Sequence, residues 1–156
     1  MMLENLAAKY ASDFNIDHDL VYSIINVESG WNPYAMRFEP NYKWLYEYRV
    51  YAGLLNITEQ TEETLQKMSY GLFQLMGALC REYGFKEELV KLCDPEINLK
   101  YGCMHLKKLI NKYSNEQDVI AAYNAGTPRK TEGGLFYNQK YVDKVYSFLN
   151  AFRKLK

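Results

Sequence analysis

The sequence predicts a mainly α fold. Three observations carry this expectation: apolar residues recur at helical spacing almost throughout, runs of strict alternation are few, and 156 residues suit one domain with one core. A first helix is expected over residues 3–12. Asp17 then caps a second helix, with apolar positions Leu20, Val21, Ile24 and Ile25, which Gly30, Trp31, Asn32 and Pro33 terminate. Residues 36–60 are ambiguous, although Trp44, Tyr48, Tyr51 and Leu55 share one helical stripe. Thr61, Glu62 and Glu63 read as a fresh helix start, because acidic residues favour the first turn. In SYGLFQLMGALCREYGF, Leu72, Leu75, Met76, Leu79 and Tyr83 fall on one helical side, with Gly84 as a left-handed stop. Asp94 and Pro95 open the next helix, where proline's missing donor costs nothing. EQDVIAAYNAG forms a short apolar helix ending at Gly126, TPRKTEGG is a loop, and Tyr141, Val142, Val145, Leu149 and Phe152 form the core face of a closing helix.

Composition narrows the functional classes. Lys+Arg and Asp+Glu both number 19, so the chain lacks the basic balance of a nucleic-acid binder, and no nucleic acid is expected as partner. The balance hides a split: residues 1–98 carry 8 basic and 15 acidic side chains, residues 99–156 carry 11 and 4. The basic stretch reads as a solvated surface, with an anionic polymer as the alternative partner. Cys80, Cys93 and Cys103 show no C-x-x-C spacing, and His105 lacks a second histidine in a zinc-like pattern, so neither metal nor cofactor is expected. Free buried cysteines are the expectation, with a Cys93–Cys103 bond as the alternative. The N-terminus MMLENLAAKYASDF has an early glutamate and no basic segment before an apolar run, so it does not read as a secretory signal. No stretch approaches the length of a membrane span, and stable membrane insertion is not expected. Synthesis in the cytoplasm follows, with any work on the cell wall requiring release or delivery by another route.

One residue breaks the apolar pattern. At about 100° per residue, Leu20, Val21, Ile24 and Ile25 span roughly 0° to 140° around the second helix, and Glu28 falls near 80°, in the middle of the stripe. A carboxylate there is partly desolvated, which disfavours its charged form and suits it to hold a proton near neutral pH, as a general acid must. The alternative is a solvated helix end or an ion-pair partner.

ESGWNPYA at 28–35, SYGLFQLM at 69–76, AAYNAG at 121–126 and YNQKYVDKV at 137–145 occur in this order. Together with LCDPEINLKYGCMHLKKL, which fits the helix before A-Y-N-A-G, they resemble the lytic transglycosylases of the soluble-lytic (SLT) type. The resemblance implies a lysozyme-like single domain with a catalytic cleft, acting on peptidoglycan glycan strands at the β-1,4 bond between N-acetylmuramic acid and N-acetylglucosamine. Glu28 matches the family's single catalytic acid/base. Ser29 matches the residue that orients it, Gln74 and Tyr123 match positions that line the sugar cleft, and Asn124 follows in the same block as a substrate-binding residue. The resemblance implies 1,6-anhydromuramic products and no protein nucleophile.

The departure from the family pattern is an insertion at about 36–68, since 33 residues separate Ala35 from Ser69. Its RFEP stretch looks like that of bacteriophage and prophage relatives, which also carry LCDPE and G-C-x-H-L elements, and this implies an endolysin or virion-associated enzyme; a monomer is expected. Its aromatics read as core at helical spacing, with sugar stacking as the alternative. Glu39 has either a second catalytic role or a partner in Arg37 or the backbone. Two rival readings stand beside the transglycosylase: a hydrolytic muramidase of goose-type lysozyme character, and a glycan-binding module without activity.

Overall fold

The computed structural model describes residues 2–155. In chain order the elements are helices α1 (Leu3–Asp13) and α2 (His18–Glu28), strand β1 (Met36–Phe38), helices α3 (Tyr48–Leu55) and α4 (Glu59–Gln66), strands β2 (Met68–Tyr70) and β3 (Leu75–Met76), helix α5 (Gly77–Glu82), a 3-10 turn (Leu89–Cys93), and helices α6 (Pro95–Lys112), α7 (Glu116–Ala125) and α8 (Gln139–Lys154). The expected mainly helical class holds. The chain divides into two compact units: residues up to Val27 together with those from Gly102 onward, and the intervening stretch Glu28–Tyr101. The charge split along the sequence shrinks within these units. The first holds 11 basic and 8 acidic side chains and the second 8 and 11.

In the first unit the helices begin and end where local chemistry dictates. Asp17 Oδ1 accepts the Asp19 N–H at 3.0 Å and caps α2, and Asn115 Oδ1 accepts the Asp118 N–H at 2.8 Å and caps α7. Gly126, at φ +79°, terminates α7 in a conformation that other residues adopt only under strain. The core is built from Ala7, Ala11, Leu20, Val21, Ile24, Ile25, Leu106, Ile120, Val142, Val145 and Leu149, all of them buried. Arg153 on α8 donates to Asp17 Oδ2 and to Glu116 Oε2, each at 2.8 Å, tying the last helix to the starts of α2 and α7.

In the second unit a small antiparallel sheet, ordered β1-β2-β3, sets Met36 opposite Tyr70, Arg37 opposite Ser69, and Ser69 opposite Met76. Several expectations need correction here. Residues 75–83 do not share one helix with Leu72: the chain first forms β2, a tight turn and β3, and α5 starts only at Gly77. The left-handed Gly71 and Gln74, at φ +69° and +49°, interrupt any helix before that point. The Trp44–Leu55 stripe fails as well, because α3 starts at Tyr48 and leaves Trp44 in an irregular, 75% exposed segment. Helix α4 begins at Glu59 and is capped by Thr58, whose Oγ1 accepts the Thr61 N–H at 3.1 Å; Thr61 is therefore inside the helix.

The segment between the two motif blocks is anchored by a fully buried ion pair. Arg81 Nε and a terminal nitrogen donate to the two carboxylate oxygens of Glu62 at 2.7 and 3.0 Å. The other terminal nitrogen donates to Phe85 O at 2.8 Å and Glu87 O at 2.7 Å, and the guanidinium lies 4.4 Å from the Tyr51 ring centre. Gln66 donates to Glu62 Oε1 at 3.0 Å and pairs with both backbone groups of Tyr46. Every charged and polar atom of this cluster thus has partners, as a buried pair requires. Cys80, Cys93 and Cys103 are free and buried, as expected, and burial pushes the Cys80 and Cys103 thiols up to about 12.

Candidate active site

Glu28 closes α2 at the end of the stripe formed by Leu20, Val21, Ile24 and Ile25, which are at most 3% exposed, while Glu28 itself is half-buried. The next residues leave the helix abruptly. Gly30 and Trp31 are both left-handed, at φ +58° and +67°, which for a tryptophan costs on the order of 1–2 kcal/mol. The loop is otherwise self-consistent: Asn32 N–H donates to Ser29 O at 3.2 Å, Tyr34 N–H to Asn32 Oδ1 at 3.0 Å, and Ala35 N–H to Asn32 O at 3.2 Å.

Three side-chain and backbone bonds fasten this loop to the turn between β2 and β3. Ser29 Oγ donates to Leu72 O at 2.8 Å at the beginning of the loop. At its end, Ala35 O accepts both the Gly71 N–H at 2.8 Å and the Gln74 Nε2 at 2.9 Å. Gln74 Nε2 donates its second hydrogen to Gly71 O at 3.0 Å, and Gln74 Oε1 accepts from Ser69 Oγ at 2.9 Å. The amide of Gln74 therefore has both hydrogens engaged inside the unit, and the geometry gives it the work of holding the loop after Glu28.

The turn itself is set by Asn98, which is fully buried near the start of α6. Its Nδ2 donates to Tyr70 O and Leu92 O, and its Oδ1 accepts the Phe73 N–H, all at 2.8 Å. A Cβ at Gly71 would run into the Asn98 amide and reach Leu92 O at 2.9 Å, so close approach as well as a positive φ requires glycine there. Asn98 and Ser69 were not singled out by sequence. The signal for Asn98 was present, because Gly102 and Leu109, which share its side of α6, are buried.

Tyr123 and Asn124 lie in the first unit, in the last turn of α7. The half-buried ring of Tyr123 packs at 5.5 Å against the imidazole of His105 on α6. Burial, assisted by the neighbouring Lys108, lowers the His105 pKa to about 4, so the ring is neutral at physiological pH. Asn124 is exposed, and its Oδ1 accepts from Asn138 Nδ2 at 3.0 Å. His105 and Asn138 are thus partners of the motif residues that their residue types alone did not reveal.

Glu39, the insertion carboxylate, pairs with Arg37, and its N–H donates to Lys67 O at 2.8 Å. Among the described residues, no group of three or more His, Cys, Asp and Glu side chains could hold a metal ion, and no helix is long and apolar enough to cross a membrane.

Comparison with known proteins agrees with this arrangement. The family described as the transglycosylase SLT domain matches residues 5–141. The protein IpgF of Shigella sonnei is 26% identical over 139 residues, covering 88% of this chain and 74% of the relative, and IpgF of Shigella flexneri matches with the same identity and coverage. The family match spans both units and every motif residue from Glu28 to Asn138, and the chain accordingly belongs to the transglycosylase SLT domain family.

Proposed function

We propose that this chain is a peptidoglycan lytic transglycosylase with Glu28 as its single acid/base. The observation that carries the reading is the placement of Glu28: a half-buried carboxylate closing a buried apolar stripe, followed by a loop that Ser29, Ala35 and Gln74 fix in one conformation. One carboxyl beside a loop of fixed geometry is what a single acid/base requires.

In the proposed reaction, Glu28 donates its proton to the glycosidic oxygen as the bond between that oxygen and C1 of N-acetylmuramic acid breaks, with the N-acetyl group supporting the developing charge. The resulting carboxylate then takes the proton of the muramic C6 hydroxyl while O6 bonds to C1. Glu28 returns to its starting state, no water is consumed, and the products are a free 4-hydroxyl and a 1,6-anhydromuramic end. Ser29, Gln74, Tyr123 and Asn124 position substrate or acid and transfer no proton. The narrower reading is a phage-type muralytic enzyme, supported by the RFEP stretch of the insertion and the LCDPE and G-C-x-H-L elements; it would act as a monomer and reach the wall by release or virion delivery.

Replacing Glu28 by Gln keeps the shape and removes the titrating proton. The expected outcome is an unchanged circular dichroism spectrum and a rate of peptidoglycan solubilisation lowered about 10²- to 10⁴-fold or more. Mass spectrometry of the wild-type digest should find muramic ends one water lighter than hydrolytic ones. Reducing ends would move the enzyme to the hydrolytic reading, and full activity of the Gln variant would remove Glu28 from the mechanism.

A further inference from the structure

Asn138 stands at the N-cap position of α8, where an asparagine ordinarily turns its side-chain oxygen onto its own helix, yet it makes no such cap bond. Its amide instead reaches α7. Asn138 Nδ2 donates to Ala121 O at 3.0 Å and to Asn124 Oδ1 at 3.0 Å. The direction of this chain of bonds is not free. Ala121 O is a backbone carbonyl and can only accept, so the Asn138 atom facing it must be the nitrogen. That same nitrogen faces Asn124, so the Asn124 atom opposite must be its oxygen. Both hydrogens of Asn138 Nδ2 are then used, and the nitrogen of Asn124 is turned away from the pair, on an exposed residue in the last turn of α7 beside Tyr123.

We infer that Asn138 is a positioning residue that locks the Asn124 amide with its N–H groups outward, so that Asn124 recognises an amide carbonyl of the glycan substrate and rejects a donor at that point. The inference rests on the proposed action on peptidoglycan, whose strands offer two such carbonyls: the N-acetyl groups of the sugars and the peptide carbonyls of the stems. A backbone carbonyl of α7 thereby dictates the polarity of a recognition group three residues further along the helix.

The test measures binding by calorimetry in the Glu28→Gln background, so that turnover does not intrude. The probes are intact soluble strands, strands stripped of stem peptides, and strands chemically de-N-acetylated. Asn124→Ala should weaken binding of intact strands about 3- to 10-fold, the worth of one hydrogen bond. Asn138→Asp should do at least as much: its carboxylate accepts from the Asn124 nitrogen, turning the Asn124 oxygen outward to face the substrate carbonyl. If the Asn124→Ala loss persists on peptide-free strands and vanishes on de-N-acetylated ones, the N-acetyl carbonyl is the partner; the reverse pattern assigns a stem carbonyl.

Because Asn138→Asp also deprives Ala121 O of a donor, its fold is checked by melting. A second readout keeps the inference open to refutation if that variant unfolds: the side-chain amide protons of Asn124 in the Glu28→Gln protein should shift on adding intact strands. Unshifted amide protons, or binding by Asn124→Ala equal to that of its parent on all three probes, overturns the inference. Failure of the parent reading would look different, as wild-type protein that binds strands and releases no fragments.

Discussion

Replacing Gln74 by Met retains the length of the side chain and removes its amide. Three hydrogen bonds disappear, but their losses are unequal. Ser69 Oγ already lies 3.4 Å from Arg37 O and turns to it. Ala35 O keeps the Gly71 N–H at 2.8 Å, and Gly71 O keeps the Gln74 N–H at 3.2 Å. No buried carbonyl is orphaned, so the cost is set by net hydrogen-bond strength, about 0.5–1.5 kcal/mol each, rather than by desolvation. Two effective losses give about 1–3 kcal/mol, and at roughly 2–4 °C per kcal/mol for a chain of this size the melting temperature should fall by about 2–12 °C. The loop carrying Ser29 to Ala35 would then be held at its end by one bond where there were two, and kcat should drop with the anhydro product unchanged. Urea unfolding and steady-state turnover on peptidoglycan measure the two effects side by side. An unchanged unfolding midpoint combined with lost affinity for glycan strands would refute the reasoning, because it would make Gln74 a substrate ligand instead of a clamp.

Two further outcomes follow from groups buried elsewhere. Glu62→Gln leaves the Arg81 guanidinium buried without its counter-charge and should cost about 3–5 kcal/mol in urea unfolding, whereas the paired replacement Glu62→Leu with Arg81→Met should recover much of that loss; equal costs for both would contradict the assignment of the pair. His105, whose folded pKa is lowered to about 4, binds its proton more readily in the unfolded chain, so its contribution to stability is complete above about pH 6.5 and declines as the pH falls toward 4. His105→Gln should flatten the melting profile across that window, and an unaltered profile would show that His105 does not govern it.

Sequence made helices α2, α6 and α7 legible because their signals are local. Asp17, Asp94, Pro95 and Gly126 act on residues within one turn, and each marks its helix end as expected. The region from Met36 to Met76 resisted reading for the opposite reason. Its conformation depends on pairings such as Ala35 with Gly71 and Asn98 with Tyr70, which join residues tens of positions apart, and on left-handed backbone at Gln74 that no residue preference announces. The motif residues were found because their order is itself a pattern, yet their mutual support was not. Asn138 and Gln74 carry ordinary amides whose direction becomes defined only once the backbone carbonyls around them are placed.

Ala35 O, accepting from two donors at once, has a consequence for how this chain can change in length. Ser29 and Ala35 are both bolted to the turn at Gly71–Gln74, so one residue added or removed between them would pull a bolt and release the segment next to Glu28. Beyond Glu39 no such bolt constrains the exposed stretch around Asn41, Lys43 and Trp44. Length variation belongs there. The same stretch is the natural place to splice in a foreign peptide or a targeting module without disturbing the geometry on which cleavage is proposed to depend.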